Sequence, residues 1–118
     1  MGAFTRGDIV LFPFPYTDLT NRKLRPCLAI SDEMGEDIML CQITSKRIVK
    51  DVFSVEIGKG DTIDGSLQID SFVRANMIFT ASKKQIKKKV CSISDNKYNE
   101  VSKRIYDLIK KTEKIPKD

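Results

Sequence analysis

Only one stretch of this chain repeats its apolar residues at helical spacing: Tyr98, Val101, Ile105, Leu108 and Ile109, close to the C-terminal end. Everything before it is cut into short β-branched and aromatic runs by turn residues, and that pattern predicts strands. Asp8–Phe12 is the first run, and Pro13 and Pro15, which lack an N–H, are expected to stop it. Residues 13–24 then form a loop, with Thr17, Asp18, Thr20 and Asn21 supplying turn chemistry. Leu24–Ser31 is a second strand, with Pro26 marking an edge or strand-entry position. Asp32–Gly35 turns the chain into a third, Asp37–Thr44, making a hairpin. Val52–Ile57 is a fourth, with Val52, Ser54 and Glu56 on one face and Phe53, Val55 and Ile57 on the other. Gly58, Gly60 and Gly65 mark a loop, in which Gly58-Lys59-Gly60 reads as a turn and not as a phosphate-binding motif. Leu67–Thr80 gives one or two strands, with Phe72, Ile78 and Phe79 as core. Ser82 can cap a single helical turn before a last strand at Lys89–Ile93. Ser94 is a suitable N-cap with Asp95 in the first turn, and Pro116 is expected to stop the helix.

Many short strands followed by one terminal helix imply a small, mainly β, antiparallel barrel with a C-terminal helix. A chain of 118 residues, 41% hydrophobic, suits one core. Residues 6–112 are expected to form a single domain, with 1–5 and 113–118 as terminal tails. No apolar run approaches the ~20 residues of a membrane span, and no secretory leader precedes Arg6 and Asp8, so a cytoplasmic protein is expected. Cys27, Cys41 and Cys91 are odd in number, have no C-x-x-C spacing and lie in apolar runs, so they read as buried small hydrophobes. The chain has no histidine, so nothing of that kind can activate a thiol or complete a zinc site, and no metal or cofactor is expected. The net charge of +5 suits an anionic partner. Lys83, Lys84, Lys87, Lys88 and Lys89 cluster, and Lys103, Arg104, Lys110 and Lys111 add charge to the helix. By itself such a cluster is an ordinary solvated face.

The order of fragments adds a further signal. Arg6-Gly7-Asp8-Ile9-Val10, a Pro/Asp/Thr loop, Leu24-Arg25-Pro26-Cys27-Leu28-Ala29-Ile30-Ser31, Leu40-Cys41-Gln42-Ile43-Thr44-Ser45 and Val73-Arg74-Ala75-Asn76-Met77-Ile78-Phe79-Thr80 follow one another before the closing helix. In that order, from about residue 6 to 109, the chain resembles the MazF/PemK toxins of type II toxin–antitoxin systems. The resemblance implies an SH3-like barrel that forms a homodimer and cleaves single-stranded RNA at preferred sequences. It implies an antitoxin partner whose acidic, disordered tail fills the RNA groove. By position, Arg25 would be the main catalytic residue, Thr44 its partner, and Arg74 an arginine that some members use at the active site. Ser45, Asn76, Tyr16, Asp18 and Lys23 complete the expected RNA-binding set, Tyr16 as the base-stacking residue and Phe14 as loop packing. Some relatives carry an acidic residue at the position of Asn76 or a histidine in the first loop. This chain has neither, so those acid–base roles do not transfer to it.

RNA supplies its own nucleophile, the 2′-hydroxyl, so an enzyme that cuts it has to orient that group, move protons and stabilise charge on phosphorus. A guanidinium matches phosphate oxygens bidentately, which suits Arg25. A threonine hydroxyl can hold an oxygen but is no general base at neutral pH. Proton transfer is left to an arginine, a carboxylate such as Asp18, or water. Two other readings fit a chain of this shape: a noncatalytic toxin that binds DNA gyrase, as CcdB-like chains do, and a noncatalytic RNA-binding barrel.

Overall fold

The computed structural model describes residues 3–15, 22–45 and 52–112. Seven strands, β1 (Asp8–Pro15), β2 (Arg22–Ala29), β3 (Asp37–Thr44), β4 (Ser54–Ile57), β5 (Thr62–Ile63), β6 (Ser71–Ser82) and β7 (Lys88–Ile93), precede one helix, α1 (Asp95–Ile109). All pairings are antiparallel, in the order β4-β6-β3-β2-β1-β7-β5, and the sheet rolls into a nearly closed barrel.

Both faces of the central strands are buried, because the alternating residues feed two separate clusters. Ile9, Leu28, Cys41, Ile43, Val55, Ile57, Val73, Cys91 and Ile93 point inward, and Val101 of α1 completes that core. The intervening residues Val10, Phe12, Cys27, Ala29, Ile38 and Leu40 form the second cluster, joined by Ala81 and Ile86 and edged by Phe4, Phe14 and Phe79. Phe12, Phe14 and Phe79 meet with ring centroids 5.3–5.5 Å apart, two of the three contacts edge to face. Phe14 therefore has the packing role expected of it, but from within β1 and not from a loop. The three cysteines are fully buried free thiols.

Several expectations are corrected. β1 runs through Pro13 to Pro15, with Pro13 opposite Leu24 and Pro15 opposite Arg22. The Leu11 carbonyl points to the β7 side, where it accepts the Lys87 N–H at 2.9 Å. Pro13 and Pro15 have the same parity as Leu11, so their missing donors face a side where the pairing with β7 has already ended at Leu11 and Lys88. Pro26 lies within β2, a central strand, yet the β2–β3 pairing starts only at Cys27 and Gln42, so its position is locally an edge. β4 is shorter than expected, because Val52 and Phe53 lie in a turn; Val55 and Ile57 face the core as expected.

β6 is one strand, starting at Ser71, and its burial is shifted from the expected pattern: other residues are the fully buried ones, while Ile78 and Phe79 pack against the two clusters from partly exposed positions. Val73, Ala75 and Ala81 are buried, whereas Phe72, Ile78 and Phe79 are half-buried. An irregularity causes the shift. β6 takes five steps from Val73 to Ile78 while β3 takes two, from Ile43 to Cys41, so three residues are extra. An odd insertion reverses which parity faces which cluster. At the end of the chain, Ser94 caps α1 by accepting the Lys97 N–H, and Ser82 likewise caps the turn Lys83–Gln85. Leu108 and Ile109 are exposed, and α1 ends at Ile109, well before Pro116, which lies outside the described residues. Among the described residues, no helix is long and apolar enough to cross a membrane.

Candidate active site

The β2–β3 ladder pairs Ala29 with Leu40, Leu28 with Cys41 and Cys27 with Gln42, and then the strands part. Arg25 and Thr44 follow two residues further on, past the last paired residues of the two strands. Arg25 lies opposite Phe12, Thr44 opposite Phe72, and Phe72 opposite Glu56.

Where β2 and β3 diverge, a groove of about 260 Å³ opens. Lys23, Arg25, Thr44 and Ser45 supply its polar lining, Leu24, Pro26 and Ile43 its apolar wall on the strand side, and Leu67, Gln68, Ile69 and Ser71 its opposite wall. Its two charged lining residues, Lys23 and Arg25, are both cationic. The Arg25 side chain is exposed, and its guanidinium makes no hydrogen bond or ion pair with any described residue. It is therefore available to an anion. Leu24 and Ile69, 44% and 65% exposed, form an apolar rim beside it.

The wall made by Leu67–Ile69 depends on a close backbone approach. Gly65 has φ of +130°, and a Cβ there would lie 2.9 Å from the Val90 carbonyl oxygen. Only glycine fits this position without displacement. Ser71, 5% exposed, anchors the start of β6 by donating its hydroxyl to the Ile69 carbonyl at 2.8 Å.

The expected site residues are thus partly assembled. Lys23, Arg25, Thr44 and Ser45 meet in one groove. Arg74 lies two residues beyond Phe72 in β6, opposite Ser54, half-buried, with its carbonyl accepting the Cys41 thiol at 2.8 Å. Asn76 is exposed within the irregular part of β6, and neither it nor Arg74 lines the groove. Tyr16 and Asp18 lie outside the described residues. Leu24, Pro26, Leu67, Gln68 and Ile69 were not singled out from the sequence, since the opposite wall follows β4 by a loop and nothing in its spacing announces a site.

The cysteines offer no competing chemistry. Burial, followed by the charge of Cys41, pushes the Cys27 thiol up to about 12, and burial pushes Cys41 up to about 12 as well. Both remain protonated at neutral pH and are poor nucleophiles. Among the described residues, no three of the cysteines and carboxylates gather as a metal site.

Comparison with known proteins then identifies the class. Residues 5–109 match the sequence profile of the PemK-like, MazF-like toxins of type II toxin–antitoxin systems, and the chain belongs to that family. No curated protein sequence matches it. Its fold is shared with an endoribonuclease solved in complex with its cognate antitoxin from a mycobacterial species (TM-score 0.72, 17% identity, covering 91% of this chain and 95% of that one). It is also shared with MazF in a MazE–MazF crystal structure from Deinococcus radiodurans (TM-score 0.74, 16% identity, 92% and 97%). The toxin MazF-mt6 of Mycobacterium tuberculosis is more distant (TM-score 0.62, 13% identity, 83% and 93%).

Proposed function

We propose that the chain is the toxin of a type II toxin–antitoxin system and acts as a sequence-selective endoribonuclease on single-stranded RNA. The observation that carries this reading is that Arg25 and Thr44 line one groove, in which the charged residues among those described are the cations Lys23 and Arg25. Family membership supports it, as do the relatives described as endoribonucleases.

In this reading the scissile phosphate sits at Arg25. The guanidinium fork pairs with its non-bridging oxygens, and these bonds strengthen as the phosphorus gains a fifth oxygen. The Thr44 hydroxyl orients the 2′-oxygen or holds a phosphate oxygen. The 2′-oxygen attacks phosphorus, the bond to the 5′-oxygen breaks, and the products are a 2′,3′-cyclic phosphate and a 5′-hydroxyl end. One proton leaves the 2′-hydroxyl and one reaches the departing 5′-oxygen. With no histidine in the chain, an arginine, a carboxylate such as Asp18, or water carries them. No metal takes part. Lys23 and Ser45 hold flanking phosphates, the rim formed by Leu24 and Ile69 contacts bases, and Tyr16, Arg74 and Asn76 extend the RNA surface. The toxin works in the cytoplasm as a homodimer, and an antitoxin with an acidic, disordered tail occupies the same groove.

The test is incubation of the purified protein with a long single-stranded RNA in EDTA, with the cut ends mapped. Discrete cuts that disappear in Arg25→Ala are expected. Intact RNA with correctly folded protein would reject the enzyme and leave a binding protein, whose first target to examine is DNA gyrase.

A further inference from the structure

The groove at Arg25 continues past its rim. Pro26, Leu67 and Gln68 line it and also line a second depression of about 380 Å³, whose far side is formed by Lys88 and Lys89. Those two lysines in turn wall a third depression of about 770 Å³, which holds Lys87 and the rest of the cluster. A single rung measures the first step: Lys88 lies opposite Leu11, and Leu11 opposite Pro26. Two strand spacings are about 10 Å, so the Lys88 backbone is roughly that far from the residue next to Arg25.

The cations along this path are not equivalent. Lys83 is paired with Glu33 at 2.8 Å, Lys84 with Glu36 at 3.1 Å, and Lys89 with Asp8 at 3.4 Å and Asp64 at 3.8 Å. Lys87 and Lys88 are exposed and have no ion pair with any described residue. The path on the other side of the Leu67–Ile69 wall is a dimple of only about 10 Å³, lined by both Lys59 and Asp70. An RNA longer than the groove therefore has a roomy way out past two unpaired lysines on one side, and on the other a small dimple in which a lysine and a carboxylate stand together.

We propose that Lys87 and Lys88 form a one-sided phosphate track, which binds the backbone of the RNA flanking the cut on a single side. The proposal rests on the ribonuclease reading above but assigns these lysines no part in the chemistry. They are point charges on flexible stems, suited to phosphodiesters of any sequence. The track raises affinity for long RNA and leaves the choice of cut to the groove.

The experiment uses the intact protein and three oligonucleotides built around a mapped cut: a short one spanning the groove, and two extended by about ten nucleotides on the 5′ or the 3′ side. Each carries a 2′-deoxy sugar at the cut, so that binding is measured without cleavage. One extension, and not the other, is expected to tighten binding several-fold. Lys87→Gln/Lys88→Gln is expected to remove that gain and to flatten the salt dependence for that oligonucleotide by about 1.4, at 0.7 per phosphate on a single strand. Its binding and cleavage of the short oligonucleotide should stay as in wild type. Equal gains from both extensions, no gain from either, or equal weakening of all three RNAs would overturn the track. So would a variant that loses binding to polyglutamate but keeps the gain, and that result would assign the lysines to an acidic protein segment. Cleavage of the short, all-ribose oligonucleotide by wild type separates the two readings. If it is cut, a failed track fails alone; if it is not, both fall.

Discussion

At one end of the β2–β3 ladder Leu28 faces Cys41 and Ala29 faces Leu40, and all four are fully excluded from solvent. Two residues beyond its other end lie Arg25 and Thr44, and the arginine is exposed. The same two strands run through both ends. The difference is whether the neighbouring strand is still hydrogen-bonded. While it is, both faces are covered and every side chain must be apolar and well packed. Once the strands part, residues of either parity border one opening, so Pro26 and Ile43 share a groove with Arg25 and Thr44. The closed end fixes the position of the open one, and the open one is relieved of packing duties.

That division is tested first by Leu28→Ala at the closed end. Leu28 lies within the main cluster between Ile9 and Cys41, so its truncation should cost about 2–5 kcal/mol by denaturant unfolding. The cleavage rate per folded molecule should stay near wild type, since no groove contact is lost. A rate collapse at full folding would show that the two ends are not separable.

Arg25→Ala is the converse. Removal of one preorganised donor to the phosphate should lower the cleavage rate by about 10²–10³. The denaturation midpoint should hardly move, because exposed positions usually stay within ±0.5 kcal/mol. Arg25→Lys keeps the charge but loses the fork and should recover only part of the rate. Full recovery would mean that charge alone, not bidentate geometry, does the work.

How much of this was legible in the sequence follows the same line. Alternation and capping are local, so β3, the inward faces of Val55 and Ile57, and the caps Ser94 and Ser82 could be read directly. Arg25 and Thr44 were picked out through the resemblance, and the structure brings both to one groove. The three-residue insertion in β6 was not, because it has meaning only against β3. The same holds for Pro13 and Pro15, which are harmless only because β7 has stopped pairing beside them. The two-residue strand β5 and the Leu67–Ile69 wall carry too little pattern of their own. Gly65 was the nearest clue, and it was read only as a loop marker.

Gly65→Ala would sharpen the comparison, because it acts on the groove from the second wall. The new methyl group would meet the Val90 carbonyl oxygen at 2.9 Å and the Cys91 Cβ at 3.3 Å, in a backbone conformation that side chains rarely adopt. A cost of about 1–3 kcal/mol is expected, with displacement of the segment leading to Leu67. Weaker RNA binding with little change in the rate at saturation would assign that wall to positioning. An unchanged affinity would mean that the wall is only packing.

The smallest effect belongs to an ion pair near the covered second cluster. Lys83 donates to Glu33 at 2.8 Å, and the Phe4 N–H donates to the other carboxylate oxygen at 2.7 Å. The lysine first, and then the backbone donor, hold the Glu33 carboxyl below the ordinary carboxylate range. Because the folded value is the lower one, the stabilisation is fully present above the unfolded value of about 4.3 and is lost as the pH falls through the folded value. Glu33→Gln should therefore lower the melting temperature slightly at neutral pH, and the gap to wild type should close on acidification. A gap that stays constant with pH would mean that Glu33 acts through the shape of its contacts with Phe4 and not through its charge. Since Phe4 edges the second cluster and does not line the groove at Arg25, neither result should alter the cleavage rate at neutral pH. A change there would join the two ends of the sheet that the other variants are expected to separate.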